Sequence, residues 1–219
     1  AWAQGPQPAE AADNANNLAL AALNRQRAAN SPQGRAAEGR ALLERDVIEL
    51  DGYGYCGQAM SLAESGDFRQ SIRASSKALY ISERDNKPEL KALALRDLAL
   101  AYLYADQLDE AEQNARAALA ISQGSVEQVQ APMHKVLGDV ASKRGNLPAA
   151  EAAYRQALSV ASPKFLPQVQ VSLANVLVSS GQPQAALEQL QGIAPAALAE
   201  LGSFFLRTKA RADRKSTRL

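Results

Sequence analysis

From Glu89 to Ala120 the chain reads mainly as Ala and Leu interleaved with Glu, Arg and Lys, and the same vocabulary recurs on both sides of that stretch. Runs of β-branched residues bounded by turn signals are missing, so the pattern predicts helices throughout and supports no strand. Breakers divide the helices. Residues 1–10 are a polar, Pro-containing lead expected to be disordered. A first helix runs from Ala11 to about Ala29 and stops at Asn30-Ser31-Pro32-Gln33-Gly34, where Pro removes a donor and Gly favours a turn. A second runs from Arg35 to about Leu50 and meets the breaker Asp51-Gly52-Tyr53-Gly54.

Beyond that breaker the chain repeats itself. Four inter-helix turns align at Gly66, Asp106, Gly145 and Gly181, spaced 40, 39 and 36 residues apart. Five residues after each turn stands a small side chain, Ser71, Ala111, Ala150 and Ala186. Nine residues after it come Ser75, Ala115, Tyr154 and Leu190, and twelve after it Ala78, Ala118, Ala157 and Ile193. Small residues at fixed offsets let two helices cross closely, which a branched or long side chain would prevent.

These residues resemble the tetratricopeptide repeat, a helix pair of about 34 residues. The third unit resembles it most, with Leu137-Gly138, Gly145, Ala150, Tyr154, Ala157-Leu158 and Pro163. The second matches at Leu98, Tyr102, Ala111 and Ala118-Leu119, the first at Gly66-Asp67-Phe68 and Ala78-Leu79, and the fourth at Leu173, Gly181 and Ala186. The first-helix aromatic position departs from the family, holding Tyr55, Leu95, His134 and Gln170, and the wider spacings require longer helices or loops. The resemblance implies an all-α fold, a right-handed α-solenoid of antiparallel helix pairs. Its repeats would span 52–91, 92–130, 131–166 and 167–194, capped by a degenerate pair over 11–51. Residues 195–210 would form a partial further helix carrying an apolar Phe204-Phe205-Leu206 cluster.

Charge modifies this picture at the C-terminus. The net charge is +1, but residues 207–219 alone carry +5 and leave −4 on the rest, so the body gives no electrostatic reason to expect nucleic acid or an anionic membrane. The basic tail, 211–219, ends in Ala212–Leu219, which resembles translated sequencing-adaptor DNA at a broken gene end; a natural tail is the alternative. At the other end, Ala1-Trp2-Ala3 fits the small-x-small pattern of signal-peptidase cleavage, so a periplasmic or otherwise exported location is expected, with the cytoplasm as alternative. No run of about 18 apolar residues predicts a membrane span.

Candidate chemistry is sparse. One cysteine, Cys56, and one histidine, His134, lie two repeats apart, so neither a metal cluster nor a nucleophilic dyad is expected, and no cofactor. His134 stands where the family places a packing aromatic. Gly52-Tyr53-Gly54 lacks the third glycine, the Lys and the strand of a phosphate loop.

The resemblance implies a non-enzymatic scaffold binding a partner protein or peptide in a concave groove, as in cell-envelope assembly or secretion. The alternative is the sensor or recruitment region of a larger enzyme such as a caspase-like protease. Carried over by position, the groove would comprise Tyr53, Cys56, Met60 and Glu64, then Arg96, Leu100, Leu103 and Tyr104, then Lys135, Asp139 and Lys143, and finally Val171, Asn175 and Val178. Arg96, Lys135, Lys143 and Asn175 would hydrogen-bond an acidic or carboxylate group of that partner, with Leu100 and Tyr104 gripping an apolar neighbour. Exposed end helices make self-association plausible as well.

Overall fold

A computed structural model of the protein describes residues 20–45, 50–122, 127–193 and 195–217. The expected disordered lead, the pattern at Ala1-Trp2-Ala3, the beginning of the first helix and the last two tail residues lie outside the described residues. Among the described residues there is no strand, and the fold is all-α. Its helices are α1 (residues 20–30), α2 (Pro32–Arg45), α3 (Gly52–Glu64), α4 (Phe68–Arg84), α5 (Pro88–Tyr104) and α6 (Leu108–Ile121). They continue as α7 (Glu127–Lys143), α8 (Leu147–Val160), α9 (Leu166–Ser179), α10 (Pro183–Gln191) and α11 (Pro195–Ser216). No helix among them is long and apolar enough to cross a membrane.

One local device starts many of these helices and another ends them. Asp51, Asp67 and Asn146 cap α3, α4 and α8 by accepting from the backbone N–H three residues on, at 2.7, 3.1 and 3.2 Å. Proline opens α5 and α10, where its missing N–H leaves no bond unmade. Five helices end on a left-handed residue: Gly66, Asn86, Asp106, Gly145 and Gly181, with φ between 51° and 86°. At each, that residue's N–H and the next one turn back onto the last helical carbonyls, as in Asp67 N–H to Leu62 at 2.9 Å and Gly66 N–H to Ala63 at 3.1 Å. Such three-residue connections force consecutive helices antiparallel. The wide spacing of the first turns comes from helix length, since α4, α5 and α7 each have 17 residues.

Each helix from α3 onward packs on its successor, and α3, α5, α7, α9 and α11 also touch one another in series. All twelve residues at the fixed offsets behind the aligned turns are buried, from Ser71 and Ala78 to Leu190 and Ile193. Around them Tyr102, Leu79, Leu95, Leu98 and Met133 fill one core, and Val169, Leu173, Leu177 and Tyr154 another further along.

The two ends depart from the repeat. Helix α2 lies mainly along α4, close enough that a Cβ at Gly39 would strike the Ser76 carbonyl. Helix α11 is broken at Gly202 (φ 48°, ψ −132°), and its second half, with the tail residues to Ser216, packs on α9. Ala212 is fully buried there, and Arg211 donates to Asn175 at 2.5 Å.

Candidate functional site: the face of the odd-numbered helices

Tyr104 ends α5, and its ring leans on Phe68 at the start of α4 with centroids 5.9 Å apart. It is 55% exposed although it is a large aromatic. Two cavities meet at this side chain. The smaller, about 110 Å³, lies between α3 and α5 and is walled by Met60, Glu64, Leu100 and Tyr104, with Asp97 beside them. The larger, about 330 Å³, opens between α5, α7, α9 and α11 and brings together Leu103, Tyr104, Asp139, Lys143 and Asn175. Most of the groove residues expected from the sequence therefore border one of two adjoining hollows.

Others do not. Val171 and Val178 are fully buried on α9, and Cys56 is buried against α5. Tyr53 is exposed but lines neither hollow. Arg96 and Lys135 line neither hollow. Conversely, Ser142, Tyr154, Ser172 and Phe204 border the larger hollow without having been assigned to it. Of these Tyr154 carried a signal in the sequence as a repeat position and Phe204 as part of an apolar cluster without a partner; Ser142 and Ser172 carried none.

The cations of the groove already have anions. Arg96 donates from Nε to Asp97 at 2.8 Å and from Nη2 at 2.7 Å, and its Nη2 also reaches Met60 Sδ at 3.4 Å. Both members of that pair are sealed, with side chains 11% and 2% exposed. Burial pushes the Asp97 carboxyl up to about 6 even against the neighbouring guanidinium. Burial likewise pushes the adjacent Cys56 thiol up, and the Asp97 charge adds to the shift, which withdraws the reactive thiolate form. Lys135 bonds Asp139 at 2.8 Å, and the second oxygen of Asp139 accepts from Tyr154 Oη at 2.6 Å. That reach depends on Gly138, where a Cβ would stand 2.5 Å from the Tyr154 ring. Lys143 bonds Asp106 at 2.6 Å, an exposed pair that exchanges with little loss.

What the face offers, then, is aromatic and aliphatic surface with a few polar groups, Lys143, Asn175 and Ser172 among them. His134, whose pKa burial lowers, lines a separate shallow depression between α6, α7 and α8. Among the described residues no group of His, Cys, Asp and Glu is placed to hold a metal ion. No protein-family model matches the chain, and the curated proteins give no match to it.

Proposed function

We propose that the protein is a non-enzymatic interaction scaffold, a right-handed solenoid of tetratricopeptide-like helix pairs that holds a partner protein or peptide along its odd-numbered helices. The observation that carries this reading is the pair of hollows joined at Tyr104 on a face where every second helix touches the next. A solenoid is the economical account of that contact order, because each pair shields the apolar face of its neighbour and leaves one extended wall. On the Ala1-Trp2-Ala3 pattern we place it in the periplasm or another exported compartment.

The partner chemistry differs from a simple carboxylate clamp. Arg96 and Asp97 are sealed together, and removing either from a buried pair is costly. A carboxylate of the partner therefore meets Lys143, by exchange with exposed Asp106, and the amide of Asn175. Apolar side chains seated against Tyr104, Met60 and Leu100 supply the larger share of the affinity.

Selection of peptides from a random display library on the immobilised protein tests this. Selected peptides should carry an aromatic or aliphatic anchor and lose at least about tenfold in affinity on Tyr104→Ser, with unchanged circular dichroism. A control, Leu137→Ser on the opposite depression, should leave binding intact. Peptides whose affinity follows Leu137 and ignores Tyr104 would place the binding face elsewhere.

A further inference from the structure

Helix α4 carries Arg69, Arg73 and Lys77 four residues apart on one stripe, with no acid three or four residues from Arg69 or Arg73. Like charges at that spacing repel and cost helix stability. Lys77 sits over the Tyr55 ring, 5.2 Å from its centroid. Arg69 and Arg73 have no carboxylate partner among the described residues, in contrast to Arg96, Arg116, Arg144 and Arg155. Both line one cavity of about 370 Å³ at the junction of α2, α4 and the α5–α6 turn, which Phe68 borders and Tyr104 does not.

The rest of that cavity is built to receive an anion. Arg35 completes the cationic wall and is fixed in place, its Nε and Nη2 donating to the Ala29 carbonyl at 2.9 and 2.7 Å and its Nη1 against Glu38. Tyr102, 1% exposed, lines the cavity with a hydroxyl that is buried and has no hydrogen-bond partner. Glu38, also lining it, has its Oε2 against Arg35 Nη1. A buried hydroxyl left unpaired is costly, so its retention calls for an acceptor. The lining sums to three guanidinium groups against one carboxylate. Glu110 does not line the cavity, but its charge acts on the Tyr102 hydroxyl, and it accepts from Asn30 Nδ2 at 3.0 Å.

We propose that this cavity binds a doubly charged oxyanion of the phosphate-monoester class, gripped by Arg69 and Arg73 with the Tyr102 hydroxyl donating to it. Guanidinium forks match the spacing of phosphate oxygens, and a net charge of two among the lining residues is matched by a dianion. The site is separate from the peptide-binding face and does not depend on that function.

Thermal unfolding and calorimetric titration of the full chain with inorganic phosphate, at constant ionic strength set by chloride, test the assignment. Phosphate should raise the midpoint saturably while chloride does not. Arg69→Gln with Arg73→Gln should abolish the shift, and because it also removes like-charge repulsion the double variant should fold at least as well without ligand. Tyr102→Phe should weaken phosphate binding by about tenfold, the worth of one hydrogen bond to a charged group. Glycerol phosphate compared with a phosphoserine peptide separates a free ester from a modified partner side chain, and tighter binding of either supports the class. No titratable binding of phosphate, an equal response to chloride, or an undiminished response in the folded double variant would overturn it.

Discussion

Gly138 and Gly57 are both helical glycines, and replacing each with Ala should move stability in opposite directions. At Gly57, in α3, an added Cβ meets nothing within 4 Å, so Gly57→Ala gains only the conformational advantage, about 0.5–1 kcal/mol. At Gly138, in α7, the same methyl would lie 2.5, 2.6 and 2.9 Å from three atoms of the Tyr154 ring. A rigid ring cannot yield at its tip, so the whole side chain must retreat by about 1 Å to reach ordinary contact, and its 2.6 Å bond to Asp139 does not survive that displacement. Overpacking costs about 1–3 kcal/mol and a lost bond to a charged group about 1.5–3, while the helix gains about 1, leaving a net loss of about 1.5–5 kcal/mol. Urea denaturation followed by circular dichroism measures both variants. In a Tyr154→Ala background the obstruction is gone, and Gly138→Ala should become stabilising, a coupling that a double-mutant cycle isolates. Should Gly138→Ala stabilise the unaltered protein as Gly57→Ala does, the reasoning about this crossing fails.

Asp97 gives stability an unusual pH dependence. Its carboxyl, raised from an ordinary 3.8 to about 6, holds its proton more tightly in the folded chain, so its contribution is fully present below about pH 4 and is lost as pH rises through 6. Unfolding free energy of the wild type relative to Asp97→Asn should therefore fall across that window, and a flat difference would remove Asp97 as the cause. Glu112, held low by hydrogen bonds from Arg144 and Arg116, acts with the opposite sign but equally in both proteins. Asp106 occupies a left-handed turn, φ 60°, at a place where three other units use Gly. Asp106→Gly should raise or hold the thermal midpoint, since relief of about 1 kcal/mol of backbone strain offsets an exposed ion pair worth less, whereas Gly145→Ala should lower stability by about 1 kcal/mol. Cys56, buried with its thiol pushed up, should react with an aromatic disulfide reagent only as fast as the chain opens, which labelling rates in graded urea will measure.

The register of the repeats was legible because it rests on backbone geometry that few residues satisfy. A left-handed helix end followed by small residues at three offsets is a local signature, and all twelve offset residues are buried. Asn86 makes the same turn at φ 51° without a glycine to mark it, because Asn adopts that conformation more readily than most side chains do. The adjacency of part of the expected face was legible for a similar reason: Met60, Leu100 and Tyr104 border one hollow between α3 and α5. Val171 and Val178 were placed on that face by their position in the family unit alone, with the further helix over 195–210 given no packing role. Burial there depends on α11, whose docking through Ala212 and Thr208 follows a sharp turn at Gly202 that no local pattern announced.

Charge was the harder quantity to read, and the reason is instructive about both proposed sites. A cation's availability is decided by which acids reach it, from its own helix or from a neighbouring one, and not by its position on a face alone. Lys135 has Asp139 four residues on and Arg96 has Asp97 beside it, and both pairs close. Arg69 and Arg73 have only each other, Lys77 and neutral residues at helical spacing, and they stay without a carboxylate partner among the described residues. Arg69 and Arg73 on α4 are thus cations of an otherwise acidic body without a carboxylate partner among the described residues, and they border the cavity whose floor holds the unpaired Tyr102 hydroxyl. Cations that the fold neutralises itself serve stability and specificity of packing; those it leaves without a partner, at a cost in repulsion, are the ones an external anion would complete.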